Sequence, residues 1–214
     1  LRYAPGESFV NSKQRRIPVS LDAPIFTLTH AMGFKGVLGG EYSFNRTEAS
    51  VWKRFWLPSS WGKIDCSIKA GAEWNTVPFP LLILPEANLS YITQRETFNL
   101  INNMEFLNDR FASVSLSYDM NGKLFNRIPL IKNLKWREMF RVRALWGTLT
   151  DKNNPFKSSN PDLFRFPMRD GKFTSFVMDP KIPYVEASVG IYNIFKLLHI
   201  EYVHRFTYRD NPGI

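Results

Sequence analysis

The sequence predicts an all-β protein, an antiparallel transmembrane β-barrel of which this chain supplies the C-terminal portion. About seven to eight long strands are expected, with the closing strand missing. Three observations support this fold class. Alternation of apolar and polar residues recurs along the chain whereas helical periodicity is scarce. No window of about 18 unbroken apolar residues exists, which argues against a membrane-spanning helix. Short and long connections also alternate between the predicted strands.

The clearest strand covers residues 64–74. Its even positions, from Ile64 to Trp74, are apolar and its odd positions are polar or glycine. Successive side chains of a strand point to opposite faces, so this segment has one apolar and one polar face. The same pattern predicts strands at 26–32, 40–53, 112–120, 135–148, 185–191 and 200–209.

One of these strands changes its parity. In the segment 40–53 the apolar residues are even-numbered at Tyr42 and Phe44 but odd-numbered at Ala49 and Val51. An extra residue in one strand produces such a slip, so a β-bulge is expected near 46–48.

Strand length favours a membrane barrel over a soluble sheet. Strands of soluble proteins average 5–6 residues, whereas a tilted strand needs roughly 9–11 residues to cross a bilayer. Trp136 and Trp146 share a face and lie roughly 34 Å apart along a strand, or about 25 Å after tilt, which is the height of an apolar barrel band. The predicted interfacial aromatics are Trp74, Trp136, Trp146 and Tyr208.

The opposite parity carries charges of both signs, which are predicted to face the lumen. These residues are Asp65, Lys69, Glu73, Asp119, Arg141, Arg143, Glu186, Glu201, Arg205 and Arg209. In the last hairpin, a turn centred between Phe195 and Lys196 would place Glu186 opposite Arg205 as a cross-strand ion pair.

The long connections 75–110 and 150–183 fall on one side of the alternating strand path, so they are predicted to be external loops. The terminal turn at 210–213 would be external too, and its position suggests a segment of a longer protein. Loop 75–110 has an apolar, proline-rich stretch at 77–85. It is expected to fold into the barrel mouth as a plug, to hold a partner protein, or to pack on neighbouring loops.

Several longer motifs resemble a known family. They are RFWL at 54–57, SWGKID at 60–65, VPFPLLILP at 77–85, MEFLNDR at 104–110, FNRIPL at 125–130, LKWRE at 134–138, LTDKNNP at 149–155, EASVGI at 186–191 and YRDNPGI at 208–214. These resemble the C-terminal part of a Bacteroidota-type outer-membrane family of unknown function. Its longer members carry a carboxypeptidase-regulatory-like domain ahead of a β-barrel. The resemblance implies an outer-membrane barrel for the whole of 1–214 and no established activity.

Catalytic, cofactor and metal sites are not expected. The single cysteine, Cys66, excludes a disulfide framework and a multi-cysteine zinc site. On a strand, His199 and Glu201 share a face and His204 faces away, so they cannot converge on a metal. Pairs of carboxylates, such as Asp65 with Glu73 or Glu186 with Glu201, could suggest a hydrolase, but they lie among basic residues on one face. No set of nucleophile, base and orienting group can be assembled from that face, so an enzyme is not predicted.

A net charge of +9 is typical of proteins that bind nucleic acid, so this function has to be considered. The predicted aromatics fall on the apolar parity instead of interleaving with Lys and Arg, as a stacking platform would require. The predicted partners are therefore outer-membrane lipid and, through loop 75–110, other envelope proteins, with no nucleic acid. The predicted function is outer-membrane protein assembly, translocation or transport. The alternatives are a barrel that anchors an N-terminal interaction domain, and a soluble basic β-domain that binds lipid or nucleic acid.

Overall fold

The computed structural model describes residues 1–90, 92–94, 96–157, 163, 168–169 and 171–211. Strands dominate this part of the chain. The strands are β1 (Arg2–Tyr3), β2 (Phe9–Asn11), β3 (Arg16–Pro18), β4 (Ile25–Gly33), β5 (Phe44–Trp56), β6 (Lys63–Glu73), β7 (Arg110–Asp119), β8 (Arg137–Thr148), β9 (Met168–Arg169), β10 (Lys172–Phe173), β11 (Tyr184–Ile194) and β12 (Leu198–Arg205).

Within the described residues, helical structure is limited to short pieces in the connections. One α-helix, α1 (Pro129–Leu134), begins with a proline at its first turn and ends at Lys135, whose backbone is left-handed. The 3-10 turns cover Phe79–Leu81, Phe125–Arg127 and Asp151–Asn153. None of the helices in the described residues has the length and apolar content that crossing a membrane requires.

One antiparallel sheet organises the molecule. Within the described residues it has eight strands in the order β1-β4-β5-β6-β7-β8-β11-β12, while β2–β3 and β9–β10 form separate small hairpins. The seven long strands contain 8 to 13 residues each. The predicted all-β antiparallel fold is confirmed at this level, and each of the seven predicted strands corresponds to one long strand of the sheet.

The predicted bulge near 46–48 is wrong. β5 pairs with β4 from Phe44 through Trp52 and with β6 from Arg46 through Trp56 without a register shift. The change of parity has another cause, because Phe44 lies on the face that carries the charges. There it packs against a cluster of buried loop residues, Val77, Leu82, Leu107 and Leu149.

The last hairpin has the predicted register. Glu186 lies directly opposite Arg205, and Val189 lies opposite Tyr202. The strand ends earlier than expected, at Arg205 rather than at residue 209, because the chain turns at residues 207–211. Of the predicted terminal turn, residues 212–214 lie outside the described residues.

The two longest connections between neighbouring strands lie at the same end of the sheet. Since neighbouring long strands are antiparallel, the connections 34–43, 74–109 and 149–183 lie at one end. The connections 57–62, 120–136 and 195–197 lie at the other end. In the first of these, Gly62 has a φ of +87°, and a Cβ there would collide with the Asp119 carbonyl. Parts of the connection 149–183 are outside the described residues.

Candidate functional site: the polar face of the sheet

The sheet has two chemically distinct faces. The apolar face comprises the side chains of β4–β8, β11 and β12 that lie on the same side of the sheet as Phe140 and Val142. Many of these side chains are exposed to solvent. The following large side chains in or beside these strands are each at least 40 % exposed: Phe26, Leu28, Met32, Phe55, Ile68, Trp74, Leu116, Phe140, Val142, Trp146, Val189, Ile200, Tyr202 and Phe206.

The polar face carries the alternate side chains, and several of its charged residues are buried. Arg141, Arg143, Glu186 and Arg205 are at most 4 % exposed, and Glu73 is 1 % exposed. Charged residues are almost never fully buried in soluble domains unless they are paired, and large apolar residues are usually inside. The sheet therefore has the reverse of the usual polarity.

A long loop covers much of the polar face. This loop cover, residues 74–109, connects β6 to β7 and contributes Phe98, Ile101 and Phe106 to a buried cluster with Leu145, Met178 and Tyr184. Tyr184 contacts Phe98 and Phe106 edge to face, at ring centroid distances of 5.6 and 5.9 Å. The apolar residues of this region thus serve to attach the loop cover to the sheet.

Glu186 on β11 is the best-connected of the buried carboxylates. Its carboxylate accepts a hydrogen bond from Arg143 Nη1 at 3.0 Å and from the Tyr184 hydroxyl at 2.9 Å. It also accepts the backbone N–H groups of Asn99, at 3.0 Å, and Leu100, at 3.1 Å, in the loop cover. Because four donors from the sheet and the loop meet at one side chain, Glu186 joins the two.

A second buried ion pair lies beside it. Arg205 Nη2 is 2.6 Å from Glu105 Oε1 of the loop cover, and both side chains are almost completely buried. Arg205 also donates to the carbonyl oxygens of Leu100, at 2.9 Å, and Tyr208, at 2.7 Å. Glu186, the predicted partner of Arg205, lies opposite it in the sheet. The ion pairs are nevertheless formed with other residues, Glu186 with Arg143 and Arg205 with Glu105.

A third carboxylate ties the two long loops together. Asp109, at the end of the loop cover, accepts the backbone N–H of Thr150 at 3.1 Å and Asn153 Nδ2 at 2.9 Å. Asn153 Oδ1 in turn accepts the N–H of Val77 at 2.8 Å. The loops at this end are therefore held by hydrogen bonds to fully buried side chains.

A further charge cluster lies on β8 and β12. Arg141 Nη1 is 2.8 Å from Glu201 Oε1, which also accepts the Ser188 hydroxyl. His199 Nε2 lies 3.1 Å from the other oxygen of Glu201, whereas His204 lies on the opposite face with Tyr202 and Phe206. Within the described part of the chain, no three His, Cys, Asp or Glu side chains form a group that could hold a metal ion.

Between the polar face and the loop cover lies a cleft of about 470 Å³. Its floor consists of strands β5–β8, and Glu86, Glu96 and Phe98 of the loop cover form its wall. Five serines contribute to the floor: Ser50, Ser67, Ser113, Ser115 and Ser117. The cleft leaves this part of the polar face accessible.

The structure places nine of the ten charges predicted for the lumen on strand positions of the polar face. The exception is Arg209, which lies exposed in a turn after β12 has ended. Asp65 forms a two-point contact with Arg54, at 2.6 and 2.9 Å. Lys69 contacts Glu86 at 2.7 Å, and Asp119 accepts the Tyr192 hydroxyl at 2.7 Å.

The four predicted interfacial aromatics separate into two groups. Trp74 and Trp146 are on the apolar face and about half exposed, and Trp136 directly precedes β8. Tyr208 is different because it packs on Phe106 with a ring centroid distance of 5.1 Å, and its hydroxyl donates to the Ile182 carbonyl. Burial raises the pKa of the Tyr208 phenol. Tyr208 therefore belongs to the contacts that hold the loops.

Sequence reasoning missed the loop carboxylates Glu105 and Asp109. Both are fully buried, yet neither belongs to an alternating strand pattern. The signal was local, since Glu105 directly precedes the fully buried apolar pair Phe106 and Leu107 and Asp109 follows it by two residues. An acidic residue next to such a pair has to find a donor when the pair is buried.

The fold and the polar face define an all-β chain with an antiparallel sheet, an open apolar face and buried, paired charges. The family model described as the C-terminal domain of a family of unknown function (DUF5686) matches residues 1–156. The chain belongs to this family. Comparison with curated proteins and comparison with solved structures gave no significant match.

Proposed function

We propose that the chain forms part of the wall of a bacterial outer-membrane β-barrel that acts in transport, translocation or protein assembly. The apolar face would contact lipid, and the polar face would line a water-filled interior narrowed by the loop cover. The observation that carries this proposal is the reversed polarity of the sheet. Apolar side chains such as Phe140 and Val142 are open, whereas Arg141 and Arg143, which alternate with them on β8, are buried and paired.

Three further features support the proposal. The strands of 8 to 13 residues match the length that a tilted strand needs to cross a bilayer. Outer-membrane barrels have their long loops at one end, and the two longest connections of this sheet, 74–109 and 149–183, share one end. The motifs that resemble an outer-membrane family point to the same location.

The native cysteine provides a direct test. Cys66 is free and lies on the apolar face, and its neighbour Ser67 lies on the polar face at the floor of the cleft. The full chain would be reconstituted into vesicles with brominated acyl chains, carrying a bimane fluorophore either at Cys66 or at position 67 of a Cys66→Ser, Ser67→Cys variant. We expect strong bromine quenching at position 66 and little at position 67.

The two labelled positions are adjacent in sequence, so the comparison controls for depth in the bilayer. Equal quenching at the two positions would contradict a lipid-facing apolar side. So would a chain that stays monomeric in water and does not associate with the vesicles, because that behaviour is expected of a soluble β-domain.

A further inference from the structure

The cleft between the polar face and the loop cover has the chemistry of a binding site. Its volume of about 470 Å³ is within the range of small-molecule sites, roughly 300–1,000 Å³. It is bounded on one side by rigid strands and on the other by a loop that buried ion pairs anchor. We propose that this cleft binds an uncharged, hydroxyl-rich ligand of the oligosaccharide class.

The floor of the cleft offers hydroxyl groups that the protein itself leaves unused. Ser113, Ser115 and Ser117 occupy alternate positions of β7, so their side chains repeat about every 6.8 Å along the strand. Ser67 of β6 lies directly opposite Ser115. Among the described residues, no side-chain hydrogen bond is formed by these four hydroxyls or by that of Ser50. Each hydroxyl can both donate and accept, which matches a ligand whose own groups do the same.

The cleft lining has equal numbers of basic and acidic residues, and all of the basic ones are paired. The lining contains four basic residues, Arg54, Lys63, Lys69 and Arg143, and four acidic residues, Asp65, Glu86, Glu96 and Asp119.

Each basic residue has a carboxylate within 4 Å. The distances are 2.6 Å for Arg54 with Asp65, 3.8 Å for Lys63 with Asp119, 2.7 Å for Lys69 with Glu86 and 3.0 Å for Arg143 with Glu186. An anion would therefore compete with carboxylates already in place. A cation would compete with Lys and Arg at each lining carboxylate except Glu96, which forms no ion pair among the described residues. A neutral ligand meets neither obstacle, so the arrangement favours it.

An aromatic surface completes the site. Trp52 of β5 lines the cleft and lies directly opposite Ser67, so a flat apolar ring adjoins the hydroxyl floor. Sugars present both hydroxyl groups and apolar C–H faces, and a pocket with an aromatic side chain and a few placed polar groups can engage both. Sheet pairing thus brings Trp52, Ser67 and Ser115 into one row.

Saturation-transfer NMR on the detergent-solubilised full chain tests the proposal. The probes are maltotriose, which is neutral, and glucuronate and glucosamine, which carry opposite charges. We expect transfer to maltotriose and much weaker transfer to the two charged sugars. The variant Ser67→Ala, Ser115→Ala should weaken maltotriose binding about tenfold, and Trp52→Leu should abolish the signal.

Matched controls separate the cleft from the rest of the molecule. Ser59→Ala in the β5–β6 turn and Trp146→Leu on the apolar face should leave maltotriose binding unchanged. Absence of transfer in the wild-type chain would overturn the proposal, as would charged sugars that bind equally well or variants of the cleft that bind normally. This test is independent of membrane location, since binding is measured in detergent, whereas bromine quenching tests the lipid contact.

Discussion

The two faces of the sheet are built from the same strands but differ in side-chain chemistry and in burial. On β8, Phe140, Val142 and Trp146 are open, and Arg141 and Arg143 between them are almost fully buried. The apolar face has little covering it, whereas the polar face is covered by a loop that brings its own carboxylates and backbone donors. The difference shows that alternation creates two faces, but that the cover on one of them decides which is buried.

The polar face also varies along the strands. Toward the loop end, Glu186 and Arg205 have several hydrogen-bond partners each and are almost completely buried. Toward the middle, Lys69 and Glu86 pair at an exposed site, with side chains 33 % and 52 % accessible. Buried and exposed ion pairs differ strongly in what their loss costs, so this contrast can be measured.

The largest effect is expected from Glu186→Ala. The substitution removes, in a buried site, the acceptor shared by Arg143 Nη1, two backbone N–H groups and the Tyr184 hydroxyl. Removing one partner of a buried pair costs about 3–5 kcal/mol, so the free energy of unfolding should fall by about that amount. Urea unfolding of the reconstituted chain, followed by tryptophan fluorescence, measures it. A loss below about 1 kcal/mol would mean that Glu186 does not hold the loop cover.

Val142→Arg on the apolar face should have the next largest effect. If this face contacts lipid, the charge costs about 2–4 kcal/mol near the bilayer midplane. An exposed position in water would tolerate the same change within about 0.5 kcal/mol. Urea unfolding in vesicles distinguishes the two, and Val142→Leu is the matched control, expected to be nearly neutral. A neutral Val142→Arg would refute the lipid-facing assignment.

Lys69→Ala should have the smallest effect. Its ion pair with Glu86 is solvent-accessible, and pairs of this kind contribute about 0–1 kcal/mol. A double-mutant cycle with Glu86→Ala isolates the coupling, which should also decrease as salt is added. A coupling as large as that expected for Glu186 would show that the middle of the polar face is as closed as the loop end.

Local sequence patterns were sufficient to predict most of the sheet. The register of β11 with β12 follows from the alternation on both sides of the turn and places Glu186 opposite Arg205. The same reasoning failed where a side chain had a non-local partner. Phe44 broke the expected parity because it packs on residues of the loop cover, Val77 and Leu82 among them. Tyr208 left the apolar face for the same reason, with Phe106 as its partner.

The candidate site was predictable only in part. Nine of the ten charges assigned to one face are on it, because strand geometry fixes the side of each residue once the strand is known. No such rule applies to the loop carboxylates Glu105 and Asp109, because they lie outside the predicted strands. Their partners lie far away in sequence, at Arg205 and Thr150.

By itself, the sequence determined the seven long strands, their antiparallel order and the chemistry of the two faces. These depend on a period of two residues and on turns that join neighbours, both of which are local. Only the tertiary structure decided that the charged face is the buried one, which carboxylates attach the loop cover and where a cleft stays open. Those outcomes depend on a 36-residue loop, residues 74–109, returning over strands distant in the chain, and alternation within a strand carries no information about what covers it.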